Sequence, residues 1–333
     1  MAILKITTDG DPYPVRAGRS ILSTAPVNSG ADRKFLGQNQ SIADQSKVYN
    51  IEYRGGTGGK IRSDGTFEIF DGDEEAVDLN QPVGITTFGV PIYSSGIKFA
   101  WASGAESYPQ YNWDSMAEQN RGSNDSRFEF DLCDGASETI DREYRYRGNS
   151  FFNSGMASSN DLFKNSSTYY TENGFNSNYL AHGPITDGAS PPTTLFTGGH
   201  SKIIGFAFDG YPIYGPFGYS TATDGTSPVV RMTSGYRLYT DSEMQIIDPS
   251  RYADLPTYEM GTFVEDYIFD PDGVQSNLDI SNPESILDKH NGRFCVTPDY
   301  KQGTYAYFLT ETGSSVPAYP YIIGPSTKQR RTY

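Results

Sequence analysis

Turn-forming residues interrupt this chain so often that long helices have little room. Its 35 Gly and 20 Pro make up about one in six of 333 residues. Gly in a helix interior costs conformational entropy and Pro removes a backbone donor, so short extended segments joined by turns are expected. The aromatic load, 25 Tyr and 19 Phe, agrees, because these side chains suit half-buried pleated surfaces and extended loops. The length is enough to bury a real core, as one large domain or two ordinary ones.

The first 80 residues differ from the rest. Short β-like runs at Ile3–Thr7, Ser46–Tyr53 and Thr66–Phe70 flank a polar stretch, Asn28–Gln45, that reads as a long loop or extended arm. From about Asn80 the pattern changes to compact aromatic segments: Gly84–Tyr93, Phe128–Leu132, Ile203–Phe208, Gly235–Tyr239, Phe263–Phe269 and Thr304–Thr310. Ser154–Asn178, rich in Asn, Ser and Tyr, reads as an exposed insertion. No internal repeat stands out, and helical signals are few, with one short turn expected at Asn282–Leu287. The expected architecture is mainly β: a small N-terminal β unit with an extended arm, followed by a larger irregular β domain. Residues 1–80 are expected to serve attachment or assembly, 81–325 to form the β domain, and 326–333 to be a basic C-terminal tail.

Net charge is −15, from 26 basic and 41 acidic side chains. That argues against nucleic acid as a partner, since neutralised phosphates supply most of such affinity. Solubility and repulsion between copies are the simpler consequence. Lys328, Arg330 and Arg331 put three positive charges near one end, which reads as a solvated terminus or a tail for an acidic partner. No window approaches the ~18 apolar residues of a membrane span. Met1–Ile6 lacks a signal peptide's apolar core and cleavage site, so secretion by this segment is not expected. Cys133 and Cys295 allow at most one bridge, and no Cys/His spacing suits zinc.

Gly55-Gly56-Thr57-Gly58-Gly59 superficially resembles a phosphate loop. The spacing before Lys60 is one residue short, however, and Ile61 stands where Ser or Thr would bind magnesium, so a flexible turn is expected. Asp71-Gly72-Asp73 and Asp270-Pro271-Asp272-Gly273 resemble pieces of calcium loops without the terminal Glu, and ordinary acidic turns are expected instead. Asp209-Gly210-Tyr211-Pro212 and Lys289-His290-Asn291-Gly292 are turn signals. On the strand after them, Tyr305, Tyr307 and Leu309 share one face, Ala306 and Phe308 the other. No G-x-S-x-G elbow is present.

Gly199–Tyr214, Ser227–Val230, Gly235–Leu238, Gly261–Tyr267, Leu287–Arg293, Val296–Tyr300 and Gly303–Thr310 follow one another in an order and spacing that resembles the YHYH domain family, over roughly residues 82–324. In that family a Tyr-His-Tyr-His segment follows a pair of alternating histidines, and alternate strand residues converge on one face. The matching positions here are Gly135 and Ser137, then Tyr144, Arg145, Tyr146 and Arg147. Arginine stays protonated and does not ligate metals as imidazole does, so the resemblance carries no metal site to this chain. The two arginines can instead pair with carboxylates such as Asp131, Asp134 or Glu143, or merely balance a surface acidic cluster.

His182, His200 and His290 lie far apart in sequence. With Asp209 they form a candidate polar site, although a lone histidine in a turn more often packs or hydrogen-bonds. Trp113, Tyr108 and Tyr111 form a candidate surface-binding cluster, with Trp101 nearby read as core. No catalytic residue, cofactor or metal ligand is expected. The resemblance implies a structural protein of a tailed-phage particle, associated with tail, baseplate or fibre. Such a protein is made in the host cytoplasm and works in the virion. Its expected partners are other virion proteins in multiple copies and a host-surface glycan. A metal-binding protein or enzyme of the bacterial YHYH type and a carbohydrate-binding module are the alternatives.

Overall fold

The computed structural model describes residues 2–8, 46–79, 81–87, 89–98, 114–116, 135–137, 143–146, 200–249, 260–261, 263–278, 280–310 and 318–332. The arm Asn28–Gln45, the run Phe128–Leu132 and the stretch Ser154–Asn178 lie outside these residues. The N-terminal strands are β1 (Ala2–Thr8), β2 (Lys47–Tyr53), β3 (Gly59–Ile61), β4 (Phe67–Ile69) and β5 (Glu75–Ala76). Then come β6 (Pro82–Thr86), β7 (Pro91–Tyr93), β8 (Gly96–Lys98), β9 (Asp114–Met116), β10 (Gly135–Ser137) and β11 (Tyr144–Tyr146). The second half has β12 (Ile203–Ala207), β13 (Pro212–Tyr214), β14 (Phe217–Tyr219), β15 (Val229–Arg231), β16 (Tyr236–Leu238), β17 (Tyr267–Phe269), β18 (Gly292–Cys295), β19 (Thr304–Phe308) and β20 (Ser326–Thr327). Among the described residues strand outweighs helix, 39% to 11%, which makes the protein mainly β as its turn content requires.

The centre is an eight-stranded sheet in the order β10-β11-β7-β6-β12-β13-β19-β18. That order is a palindrome of two equivalent halves, an internal repeat not evident in the linear sequence. Each half runs antiparallel, parallel, antiparallel outward from the central β6–β12 pair. The registers coincide. Ile92 pairs with Tyr146 in one half as Ile213 pairs with Tyr307 in the other. Gly135 lies opposite Tyr146 as Gly292 lies opposite Tyr307. Both halves even carry a register irregularity at the same place, before Gly84 and before Gly205.

The sequence signal was Gly84-x4-Gly89-x-Pro91-Ile92-Tyr93 against Gly205-x4-Gly210-x-Pro212-Ile213-Tyr214. Each motif builds the same turn. Gly89 N donates to Thr86 O at 3.0 Å and Thr86 N to Val90 O at 2.9 Å; Gly210 N donates to Ala207 O and Ala207 N to Tyr211 O, both at 2.9 Å. Gly89 and Gly210 sit at φ of 93° and 92°, a region side-chain-bearing residues rarely adopt. Intervening insertions of unlike length and composition hid the repeat from a linear scan.

Alternation then divides the core. Tyr305, Tyr307 and Leu309 join one buried cluster with Val83, Ile92 and Ile213, while Ala306 and Phe308 join another with Tyr214, Met232 and Leu287, as the strand periodicity requires. The β1–β2 ribbon lies across the middle of the sheet, where Leu4, Ile6, Tyr49 and Ile51 pack on Ile85, Phe206 and Phe208. The glycine cluster after β2 is pressed against β19. Tyr305 N donates to Thr57 O at 2.8 Å and Gly56 N to Thr304 Oγ1 at 3.0 Å, so this turn serves packing.

Two helices, Asp241–Ile247 and Pro271–Asn277, were not expected. The first is started by a capping box between Thr240 and Glu243. At the second, Asp270 accepts from Gly273 N at 3.0 Å and Pro271 opens the first turn, so the calcium-like fragment is an N-cap. The expected turn in Asn282–Leu287 is a 3-10 turn at Pro283–Ser285.

Gly210 has a second constraint, because a Cβ there would overlap the Glu52 carbonyl of β2. Gly65, at φ 82°, has nothing within 4 Å of the same position. In urea titrations Gly65→Ala should therefore cost about 1 kcal/mol from backbone conformation alone. Gly210→Ala should cost about 3 kcal/mol or more, since backbone must also move.

Candidate functional site

The stretch matching the family's motif forms β11, in the first half of the sheet. Tyr144 and Tyr146 are fully buried and share one face, with ring centroids 5.5 Å apart in an edge-on arrangement. Arg145 points to the opposite face, where its guanidinium lies 4.2 Å over the Tyr93 ring and 3.2 Å from Glu143. Glu143, 1% exposed, also accepts from the Tyr93 hydroxyl at 2.9 Å and forms an ion pair with Lys47 at the start of β2. One buried carboxylate therefore binds two cations and a phenol, and ties the ribbon to the sheet. Among the described residues, Glu143 is the carboxylate that Arg145 meets. Asp131, Asp134 and Arg147 lie outside the described residues, and for Gly135 and Ser137 the backbone places them opposite Tyr146 and Tyr144 on β10.

The other half of the sheet offers a counterpart to this guanidinium. Arg145 faces Ala136 across the strand pair, whereas the equivalent pair in the other half is Ala306 and Arg293. Among the described residues each half thus carries one buried arginine, supplied from opposite strands. Arg293 donates to the carbonyls of Glu284, at 2.6 Å, and Tyr219, and lies over Phe308. Tyr214, the counterpart of Tyr93, likewise donates to a carboxylate, Asp299 at 2.9 Å. Burial pushes both phenols well above the usual tyrosine range.

The candidate polar site does not assemble as one unit. Asp209 and His290 lie on the Tyr305/Tyr307 side of β19, while His200 packs on the other side against Phe308, Tyr214 and Tyr219. Alternate side chains of a strand cannot reach the same face, which is why the set divides. His182 lies outside the described residues. Tyr307 donates to Asp209 Oδ2 at 2.6 Å; Tyr305 donates to Asp288 at 2.9 Å. Asp288 also accepts from the His290 amide at 2.9 Å, and His290 Nδ1 contacts Ser326 while Nε2 lies 3.4 Å from Glu74. Burial pushes Asp209 up to about 6 and raises Asp288, while it lowers His290.

His200 has a defined proton. Its Nδ1 lies 2.7 Å from the Ser201 carbonyl, which only accepts, so Nδ1 carries the hydrogen and Nε2 the lone pair. Nε2 is buried without a hydrogen-bond partner among the described residues. Burial, helped by the charge of Arg293, pushes this imidazole down to about 4. A neutral imidazole of this kind is a competent acceptor, but no three His, Cys, Asp or Glu side chains among the described residues are placed to hold a metal together. Among the described residues no helix is long and apolar enough to cross a membrane. Trp113, Tyr108, Tyr111 and Trp101 lie outside the described residues.

The YHYH protein family model matches residues 70–320. The chain belongs to the YHYH family. Searches against curated proteins and against solved structures each found no match. The YHYH match takes in both halves of the palindromic sheet but neither the β1–β2 ribbon nor the end of the chain beyond residue 320. Both of those added segments close on polar groups of the YHYH domain, the ribbon through Lys47 on Glu143 and the terminus on Asp209. In this YHYH protein β11 contributes Arg145 to a buried clamp on Glu143.

Removing one partner of a buried ion pair leaves the other uncompensated. Arg145→Ala should lower stability by about 3 kcal/mol in urea titration, and Arg145→Lys by less, since a charge remains for Glu143. For His200 the folded value lies below the unfolded one, so its contribution is complete above pH ~6.5 and is lost as pH falls toward 4. His200→Phe should remove about 3 kcal/mol of acid sensitivity from the stability profile between those limits.

Proposed function

We propose that this YHYH protein is a structural component of a tailed-phage particle, at the tail, baseplate or fibre, and that its degenerate motif serves assembly or host-surface contact. The observation that carries this reading is Glu143, buried between Arg145, Lys47 and Tyr93. Where the resemblance implies histidines, this chain spends the position on fastening an N-terminal ribbon to the domain. A fastening role suits an assembly protein better than a reaction centre, because the charged groups are consumed in internal pairs. The protein would be made in the host cytoplasm and act in the virion beside other virion proteins in multiple copies. Contact with a host-surface glycan would fall to Trp113, Tyr108 and Tyr111, whose aromatic rings offer contact area at small entropic cost.

Mass spectrometry of purified particles should find the protein at stoichiometric level, and deleting its gene should impair assembly or adsorption. Absence from the particle, or a deletion without effect on either step, would sink the proposal. The metal-binding or enzymatic alternative expects one metal per chain in elemental analysis of untreated protein, so a stoichiometric metal would favour it.

A further inference from the structure

The strap Ser326–Thr332 lies over Asp209, a fully buried acid. Its backbone donates to one acceptor after another: Lys328 N to the Tyr307 hydroxyl at 2.7 Å, Gln329 N to Asp209 Oδ2 at 3.2 Å, Arg331 N to Glu75 Oε2 at 2.8 Å and Thr332 N to Phe208 O at 2.8 Å. Glu52 N of β2 returns a bond to Thr332 Oγ1 at 3.3 Å, and Asp73 N donates to the Gln329 side chain at 3.1 Å. The acidic run and the basic end, two separate charge features of the sequence, are partners: Arg330 pairs with Asp73 and Arg331 with Glu75. Ribbon, acidic segment and second repeat turn all meet on these seven residues. Gly72 permits the approach, since a Cβ there would overlap the Lys328 carbonyl.

We propose that this strap is an acid-closed latch, which seats on Asp209 while that carboxyl is protonated and loosens the ribbon from the sheet when it carries charge.

The geometry makes the charge costly. Asp209 is 0% exposed, and no cation lies within ion-pair distance of it among the described residues. Its oxygens take the Tyr307 hydroxyl, the Gln329 amide and, at 3.4 Å, the Tyr211 amide. The titratable groups facing it are Tyr305 and Tyr307 from β19, Tyr211 from the turn, Arg54 after β2 and Lys328 from the strap. Arg54 acts on it from a distance while paired with Glu52, and the Lys328 ammonium lies 5.6 Å over the Tyr305 ring. An ionised carboxylate sealed from water in this way is stabilised by whatever readmits water, and lifting the strap does that. Burial accordingly raises Asp209 from 3.8 to about 6. A raised acid favours the closed form fully below its open-state value, and that preference is lost as pH rises through about 6.

Two neighbours act in the opposite sense. Glu75 is held low, against the effect of its burial, by donors from Arg331, and burial holds down His290, which contacts Ser326 at the root of the strap. Both favour closure at higher pH, so the Asp209 contribution must be isolated by substitution.

The test is amide hydrogen exchange of residues 328–332 in the full-length protein, corrected for intrinsic rates and referenced to amides of β12. Between pH 4 and 7.5 the opening equilibrium of the strap should rise about 100-fold, ten for each of roughly two units of displacement. Asp209→Asn should flatten the rise. Tyr307→Phe removes a donor to the charged form and should move the midpoint upward. Strap protection that is constant with pH in the unaltered protein would overturn the proposal, and so would a rise that persists in Asp209→Asn. If Asp209→Asn does not fold, the unaltered profile and the direction of the Tyr307→Phe midpoint decide it.

Discussion

Everything in this protein is hung on one antiparallel pairing, β6 against β12 around Ile85 and Phe206. The pairing is close because both strands have glycine where the partner backbone approaches. A Cβ at Gly84 would lie 2.8 Å from Phe206 O, and one at Gly205 would lie 2.6 Å from Ile85 O. Reciprocal bonds outside the pair, Thr87 N to Ile204 O at 2.9 Å and Phe208 N to Val83 O at 2.8 Å, extend it equally in both directions. The two halves of the sheet grow outward from that seam, and the ribbon lies across it. Each half then reaches the same register, turn and buried tyrosines with different insertions between its strands.

The interior that results is unusually phenolic. Tyr144, Tyr146, Tyr211, Tyr214, Tyr305 and Tyr307 are among its largest fully buried side chains. A buried hydroxyl must find an acceptor, and the strongest acceptors in an acidic chain are carboxylates. That demand explains why Glu143, Asp209 and Asp288 lie inside: each receives at least one tyrosine hydroxyl. The carboxylates in turn need further donors. Glu143 obtains Arg145 and Lys47, while Asp209 obtains backbone amides of the strap. The segments beyond the family match are thus held by the polar groups that the tyrosine core had drawn in. Stability and attachment share the same side chains, which is the physical basis for reading the domain as a holder of other elements.

Much of this was legible in the residues. The β class followed from turn density and aromatic content; β2 and β4 fall within the runs expected for them, and β1 extends its run by one residue at each end. The opposite faces of β19 followed from alternation alone. The family was legible too, because the order and spacing of several motifs pointed to it, and the family model matches residues 70–320. Other features were present but hidden by their weight. Thr240 with Glu243 and Asp270 with Pro271 are helix-start signals, overlooked because the helices they begin are only seven residues long. The doubled G-x4-G-x-P-I-Y was overlooked because each copy reads as an ordinary turn until its register is known.

What the sequence determined by itself was local: where the chain must turn and which residues alternate. What only the tertiary structure decided was partnership. Glu143 meets Lys47 across 96 positions, and Asp209 meets Gln329 across 120. It also decided that His200 and Asp209 would be separated by a strand. Local preferences act through neighbouring backbone dihedrals and are written residue by residue. A buried charge chooses its partner only when sheet closure excludes water and leaves a few groups within reach.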